Sequence, residues 1–160
     1  MKIIDELIKE HHFFKNLDDS YIKVIAGCGT NVIIKEGEYV AREGEEANEF
    51  FLIRKGKVAI DILDSTCGSI VIQTLEEGEI FGWSWIIAPH FWHFNARAVE
   101  TTHAVSLDGK CLREKCEQDN TLGYHLLKRF SGVLAKRLEM ARMQLLDVYG
   151  AKVKKDNFYA

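Results

Sequence analysis

The residues of this sequence best suited to chemistry lie in one stretch, GWSWIIAPHFWHFNARA, from Gly82 to Ala98. It holds all three tryptophans, Trp83, Trp85 and Trp92, with His90, His93 and Arg97, around the only proline, Pro89. Indole rings offer flat apolar faces for stacking and one N–H donor each. The imidazoles and the guanidinium add further donors, so the set would suit an aromatic or partly anionic small molecule. Aromatic residues this dense equally well fill a core, and both readings stand on the residues alone: a pocket or extra core. The pair His90-x-x-His93 could face a metal or haem iron. No carboxylate or thiol joins it in sequence, so no metal or cofactor is expected. His103 and His125 are isolated, and His11-His12 reads as a solvated turn before two core anchors, Phe13 and Phe14. There is no nucleophile elbow, paired-carboxylate signature or nucleoside-triphosphate loop, so catalysis is not expected. The four cysteines, Cys28, Cys67, Cys111 and Cys116, lack C-x-x-C spacing and read as reduced structural thiols.

Composition narrows the classes further. A chain of 160 residues, 47% hydrophobic and 28% charged, suits one soluble globular domain with a proper core. No run approaches the ~20 apolar residues of a membrane span. The N-terminus, MKIIDELIKEHH, is too polar for a secretory signal, so a cytoplasmic setting is expected. The net charge of −3 argues against a surface that tracks nucleic-acid phosphates. The one basic cluster, AKVKK at 151–155, reads as a solvated end.

The elements that must position the aromatic stretch follow from three regimes of hydrophobic period. Residues 1–29 read as N-terminal helices. Ile3, Ile4, Leu7 and Ile8 form one apolar face, and Asp18 or Asp19 is placed to cap a second helix that ends at Gly27 and Gly29. Residues 30–107 read as short strands: NVIIKEG, EYVAREG, NEFFLIRKG, KVAIDIL, SIVIQTL, FNARAVE and THAVSL. In KVAIDIL, Val58, Ile60 and Ile62 alternate with Ala59 and Asp61. Gly37, Gly44, Gly56, Gly68 and Gly78 punctuate the strands, a spacing that suggests a sandwich or barrel. Residues 108–149 read as helices, the first capped by Asp108. The second, from about Asn120 to Tyr149, would be about 45 Å long. Leu127, Leu134, Ala141 and Val148 recur every seven residues, with Leu138 and Leu145 between them. That 3.5-residue repeat is a coiled-coil seam, flanked by Arg137, Glu139 and Arg142, and it predicts a homodimer. Packing of the same stripe on the barrel is the alternative. Residues 1–150 are expected to form one domain and 151–160 a tail.

Within the strand region stand Gly37-Glu38-Tyr39-Val40, Arg42-Glu43-Gly44-Glu45-Glu46-Ala47-Asn48, Phe50-Phe51-Leu52-Ile53, Lys55-Gly56-Lys57-Val58 and Gly78-Glu79-Ile80-Phe81-Gly82. With these motifs, the order of helices, glycine-punctuated barrel and long helix resembles the cyclic-nucleotide-binding domain family over roughly residues 12–148. It looks most like the sensor half of the catabolite-activator and fumarate-nitrate regulators. It implies a double-stranded β-helix, or jelly roll, flanked by N-terminal helices and a long C-terminal dimerisation helix. It also implies a phosphate cassette beginning at Gly82. There a short helix aims backbone N–H groups at a cyclic phosphate, a Glu follows the Gly to hold the ribose, and an Arg ten residues on pairs with the phosphate.

This sequence departs from that pattern at both side chains. Trp83 stands at the Glu position and Trp92, followed by His93, at the Arg position. Arg97 lies on the following strand. A cyclic phosphate would lose its main cation, and charge-assisted pairs are worth roughly 1.5–3 kcal/mol each, so at least a tenfold loss of affinity is expected. Gly82, Trp83, Ser84, Trp85, Trp92, His93 and Arg97 form the candidate ligand site. The indoles either seal it or re-aim it at another small-molecule effector, and binding of cyclic AMP or cyclic GMP is doubtful. In relatives that regulate transcription, a helix-turn-helix domain follows the long helix. The ten residues after Gly150 cannot hold one, so direct DNA binding is not expected. The expectation is a non-catalytic regulatory module that signals to a protein partner. A true cyclic-nucleotide regulator and a ligand-free dimeric scaffold remain the alternatives.

Overall fold

The computed structural model describes residues 3–158, with side chains through residue 150. Two compact units form, one extending through His125 and the other from Leu126 onward. The first unit contains a barrel of two four-stranded antiparallel sheets. The strands are β1 (Gly29–Ile34), β2 (Tyr39–Ala41), β3 (Glu49–Lys55), β4 (Val58–Asp64), β5 (Gly68–Leu75), β6 (Ile80–Phe81), β7 (Asn95–Ala98) and β8 (Thr102–Asp108). One sheet has the order β1-β8-β3-β6 and the other β2-β7-β4-β5. Each sheet joins strands distant in sequence, and the core lies between the two sheets. Phe51, Ile53, Val58, Ile60, Leu75, Phe81, Trp92, Phe94 and Ala96 form its main cluster. The expected jelly roll is the observed fold.

Local chemistry explains most boundaries. Gly56 turns β3 into β4 at φ +110°, and a Cβ there would fall 2.7 Å from Thr102 Cα, so only glycine fits. Thr102 itself is buried and donates its hydroxyl to the carbonyls of Lys57 and Glu100. The two-residue strand β6 was too short to show in the hydrophobic pattern, and its pairing with β3 defines it. The alternation expected in KVAIDIL stops early. The β4–β5 pairing skips Ile72, so a bulge follows Ile60. Beyond it Asp61 is 2% exposed and Ile62 is 36% exposed. Asp61 is satisfied by Asn95, whose Nδ2 donates to it at 2.9 Å.

The N-terminal segment is less continuous than its sequence suggested. Helix α1 (Ile4–Glu10) gives way to a 3-10 turn at His12–Phe14, and α2 spans Asp19–Ala26. Ile8 is buried, but Ile3 precedes the helix and is exposed, so the expected apolar face narrows. Asp18 occupies the N-cap position of α2 without a side-chain cap; its backbone carbonyl accepts from Tyr21 and Ile22. His11 is half-buried rather than solvated, and its Nδ1 accepts the Phe13 N–H at 3.2 Å.

After the barrel, α3 (Gly109–Gln118) begins with the expected cap, Asp108 accepting the Cys111 N–H at 3.1 Å. Helix α4 (Asn120–Phe158) follows after one residue, Asp119. It continues as helix through residue 158, past the point where a tail was expected to begin; residues 159 and 160 lie outside the described residues. The expectation of four reduced thiols is overturned for two of them. Cys28 and Cys111, 83 residues apart, form a disulfide, whereas Cys67 and Cys116 are free.

Candidate functional site

The stretch from Gly82 to Ala98 leaves β6, turns through Ser84–Ile86, bends across a cis Ala88–Pro89 bond and re-enters the sheet as β7. A single i→i+3 bond, from Ile86 N–H to the Trp83 carbonyl, closes the turn. The short helix implied by the family pattern is therefore replaced by a turn. Gly82 sits at φ +101°. A Cβ there would lie 2.9 Å from the Glu49 carbonyl oxygen and 2.9 Å from Trp92 Cη2, so this glycine allows the Trp92 ring to close on the backbone.

The candidate residues divide into three places. Trp92 is 5% exposed and belongs to the barrel core, its ring centroid 6.5 Å from Phe81 and 5.6 Å from Phe94. Trp85 is fully buried and stacks on Phe50 at 5.1 Å with a 20° interplanar angle. Trp83 is half-buried at the surface, its ring 5.0 Å from that of exposed His93 and 10° from parallel. Arg97 stands apart from all of these. It alternates with the core residues Ala96 and Ala98, so its side chain leaves the opposite face of the sheet, in register with Tyr39 and Ala59. Ser84 is buried, and its Oγ has no hydrogen-bond partner among the described residues. Its carbonyl is engaged by His90 Nδ1 at 2.7 Å. No group of three or more His, Cys, Asp or Glu side chains among the described residues could hold a metal ion.

The loop before β3 holds the far end of the stretch. Gly44 N–H donates to the Trp92 carbonyl at 2.9 Å, Trp92 N–H to Glu45 at 2.9 Å and Ala47 N–H to His90 at 2.8 Å. Asn95 Oδ1 accepts the Glu43 N–H at 2.8 Å, which anchors the same loop. Helix α3 holds the near end. Arg113 donates to the Trp85 carbonyl and to Asn48 Oδ1, and Gly109 N–H donates to the Asn48 carbonyl. A Cβ on Gly109 would fall 2.6 Å from Trp85 Cβ, so the helix starts flush against the indole-bearing turn. Asn48 also donates to the Glu46 carboxyl. That bond, with Lys110 3.8 Å away, holds Glu46 below the usual carboxylate range. The sequence did not foretell that Asn48, Arg113, Asn95 and Asp61 hold the site together. The Asp61–Asn95 and Asn48–Arg113 pairs join residues 34 and 65 positions apart, and no local pattern marks either pairing.

The pattern described as "Cyclic nucleotide-binding domain" matches residues 32–119. Human cGMP-dependent protein kinase 2 is 39% identical over 71 residues, covering 42% of this chain and 9% of the kinase. The chain thus spans about a tenth of that relative's length. A putative cyclic nucleotide-binding protein from Geobacter metallireducens superimposes with a TM-score of 0.75 at 27% identity, covering 86% of this chain and 99% of that one. The catabolite activator protein of Thermus thermophilus gives a TM-score of 0.68 at 19% identity, covering 83% and 61%, a likeness of fold alone. No helix among the described residues is long and apolar enough to cross a membrane.

Proposed function

The chain belongs to the cyclic nucleotide-binding domain family, and we propose that it is a non-catalytic regulatory module whose phosphate cassette has lost its ordinary ligand. The burial of Trp92 carries this reading. At the position where the family pattern calls for an arginine, an indole packs into the barrel core against Gly82. An indole has no charge to offer a cyclic phosphate, and its one N–H donates a single neutral bond. Ser84–Ile86 also form a turn and not the short helix whose N-terminus the family pattern aims at the phosphate. The module acts in the cytoplasm, dimerises through α4 and passes its state to a protein partner. It makes no direct contact with DNA, in keeping with its net charge of −3.

Isothermal titration of the full chain with cyclic AMP and cyclic GMP tests the loss of the site. No heat is expected at micromolar ligand, and micromolar binding of either nucleotide would overturn the reading. A second reading draws on the Trp83–His93 stack and the unbonded Ser84 Oγ. Both could serve a planar small-molecule effector in a re-aimed site. A tryptophan-fluorescence screen of aromatic metabolites on the parent and Trp83→Leu separates the two. A response confined to the parent supports the re-aimed site, and silence in both supports a sealed one.

A further inference from the structure

We propose that the Cys28–Cys111 bridge is a thiol–disulfide exchange site, acted on by a dithiol reductant, that fixes α3 to the barrel when oxidised and releases it when reduced. The inference concerns α3 and does not depend on whether the cassette binds a ligand. Three attachments meet at the first two turns of this helix. Arg113 and Gly109 fasten it to Asn48 and to the Trp85 carbonyl on the cassette side. The disulfide fastens it to the residue preceding β1 on the other side. Asp108 N–H, donating to the Cys28 carbonyl at 2.9 Å, is the neighbouring backbone tie. Only the disulfide among these can be removed by a chemical signal without changing the chain. The helix it restrains leads through the single residue Asp119 into α4.

The two cysteines are not equally exposed. Cys28 is buried and Cys111 is partly exposed. An incoming thiolate therefore attacks Cys111 Sγ, the Cys28–Cys111 bond breaks, and Cys28 leaves as the thiolate and takes up a proton. The reductant's second thiolate then attacks its own sulfur in the mixed disulfide, releasing Cys111. The protein gains two electrons and two protons, and the dithiol becomes a cyclic disulfide. Cys116, on the same helix, is a poor internal competitor. Burial, with Glu117 and Asp119 nearby, raises its pKa above the usual thiol range, so little thiolate forms. In a thiol-rich cytoplasm a bridge of this kind cycles rather than persists.

The test uses the full chain equilibrated in oxidised or reduced dithiothreitol, read by alkylation mass spectrometry and amide hydrogen exchange. Oxidised protein should label only at Cys67 and Cys116 after unfolding, and reduced protein at all four cysteines. Amides of residues 109–118 should exchange at least about tenfold faster in the reduced form while β3 and β8 stay protected. The Cys28→Ser/Cys111→Ser protein should match the reduced parent in either buffer. Labelling of Cys28 and Cys111 in oxidised buffer overturns the proposal. So does α3 exchange that ignores the redox state, or loss of protection in the barrel together with α3. The parent alone decides each of these outcomes if the double variant does not fold.

Discussion

Trp92 and Trp83 are nine residues apart and yet should respond very differently to truncation. Trp92→Ala empties a site enclosed by Phe81, Phe94 and Ala96, and large aromatic-to-alanine changes in a core cost about 3–5 kcal/mol. Trp83→Ala removes a half-exposed ring stacked on an exposed imidazole and should cost about 1 kcal/mol or less. Urea unfolding of the two variants checks this, and equal losses would mean that Trp92 is not a core residue. His11 makes a second prediction. Burial, then the neighbouring His12, lowers its pKa from 6.5 to about 4. A backbone group of Gly78 pulls the other way but more weakly, Nε2 has no hydrogen-bond partner among the described residues, and Nδ1 must stay unprotonated to accept from Phe13. Between about pH 4 and 6.5 the unfolded chain therefore binds the proton that the native chain refuses, and stability falls as the pH falls. The slope is at most about 1 kcal/mol per pH unit, reduced by solvent screening at a half-buried site. Unfolding midpoints from pH 7 to 4 should show it, and His11→Asn should flatten the profile. The sequence marked His11 only as part of a polar pair, because nothing local foretold that its ring would be covered.

At the scale of elements, α4 leaves much of its apolar stripe exposed. Leu138 is 64% exposed, and Leu127, Leu145 and Val148 of the same 3.5-residue seam are exposed with it; Ala141 is exposed and Leu134 half-buried. Met143, Leu146 and Tyr149 are exposed as well, so the apolar surface is wider than the seam. An isolated helix bearing such a stripe gains most by pairing with a copy of itself. Sedimentation equilibrium should therefore give twice the chain mass for the parent and a single chain mass for Leu138→Lys. An unchanged dimer would remove the seam from the interface. The cap of α3 is a smaller matter: Asp108→Ala should cost about 1 kcal/mol, measured by thermal unfolding. Both features were legible because they depend on residues a few positions apart. Strand regions and glycine turns were legible for the same reason. The β6 strand, the bulge after Ile60 and the uncapped Asp18 were not, because each is decided by a neighbouring strand or by backbone geometry.

For the molecule as a whole, the contacts that close the structure join residues far apart in sequence. Asp61 meets Asn95 across 34 residues, Asn48 meets Arg113 across 65, and Cys28 meets Cys111 across 83. None leaves a trace in local spacing, which is why the four cysteines read as free thiols and why Arg97 could be grouped with a cassette from which it points away. The longest of these closures also has the largest consequence for stability. Its loop encloses every strand of the barrel, and in the chain-entropy account a closed loop of this length restricts the unfolded ensemble by about 4–5 kcal/mol. Reduction should thus lower the free energy of unfolding by up to that amount while the native fold, held by its core, persists. Urea unfolding with and without dithiothreitol measures the difference directly. The Cys28→Ser/Cys111→Ser protein should reproduce the reduced parent and show no response to reductant, whereas Cys67→Ser and Cys116→Ser should respond as the parent does. If reduction leaves the midpoint of the parent unmoved, the bridge is not formed in solution, and α3 is held by its other contacts, among them those to Asn48 and Trp85 and the buried Leu112.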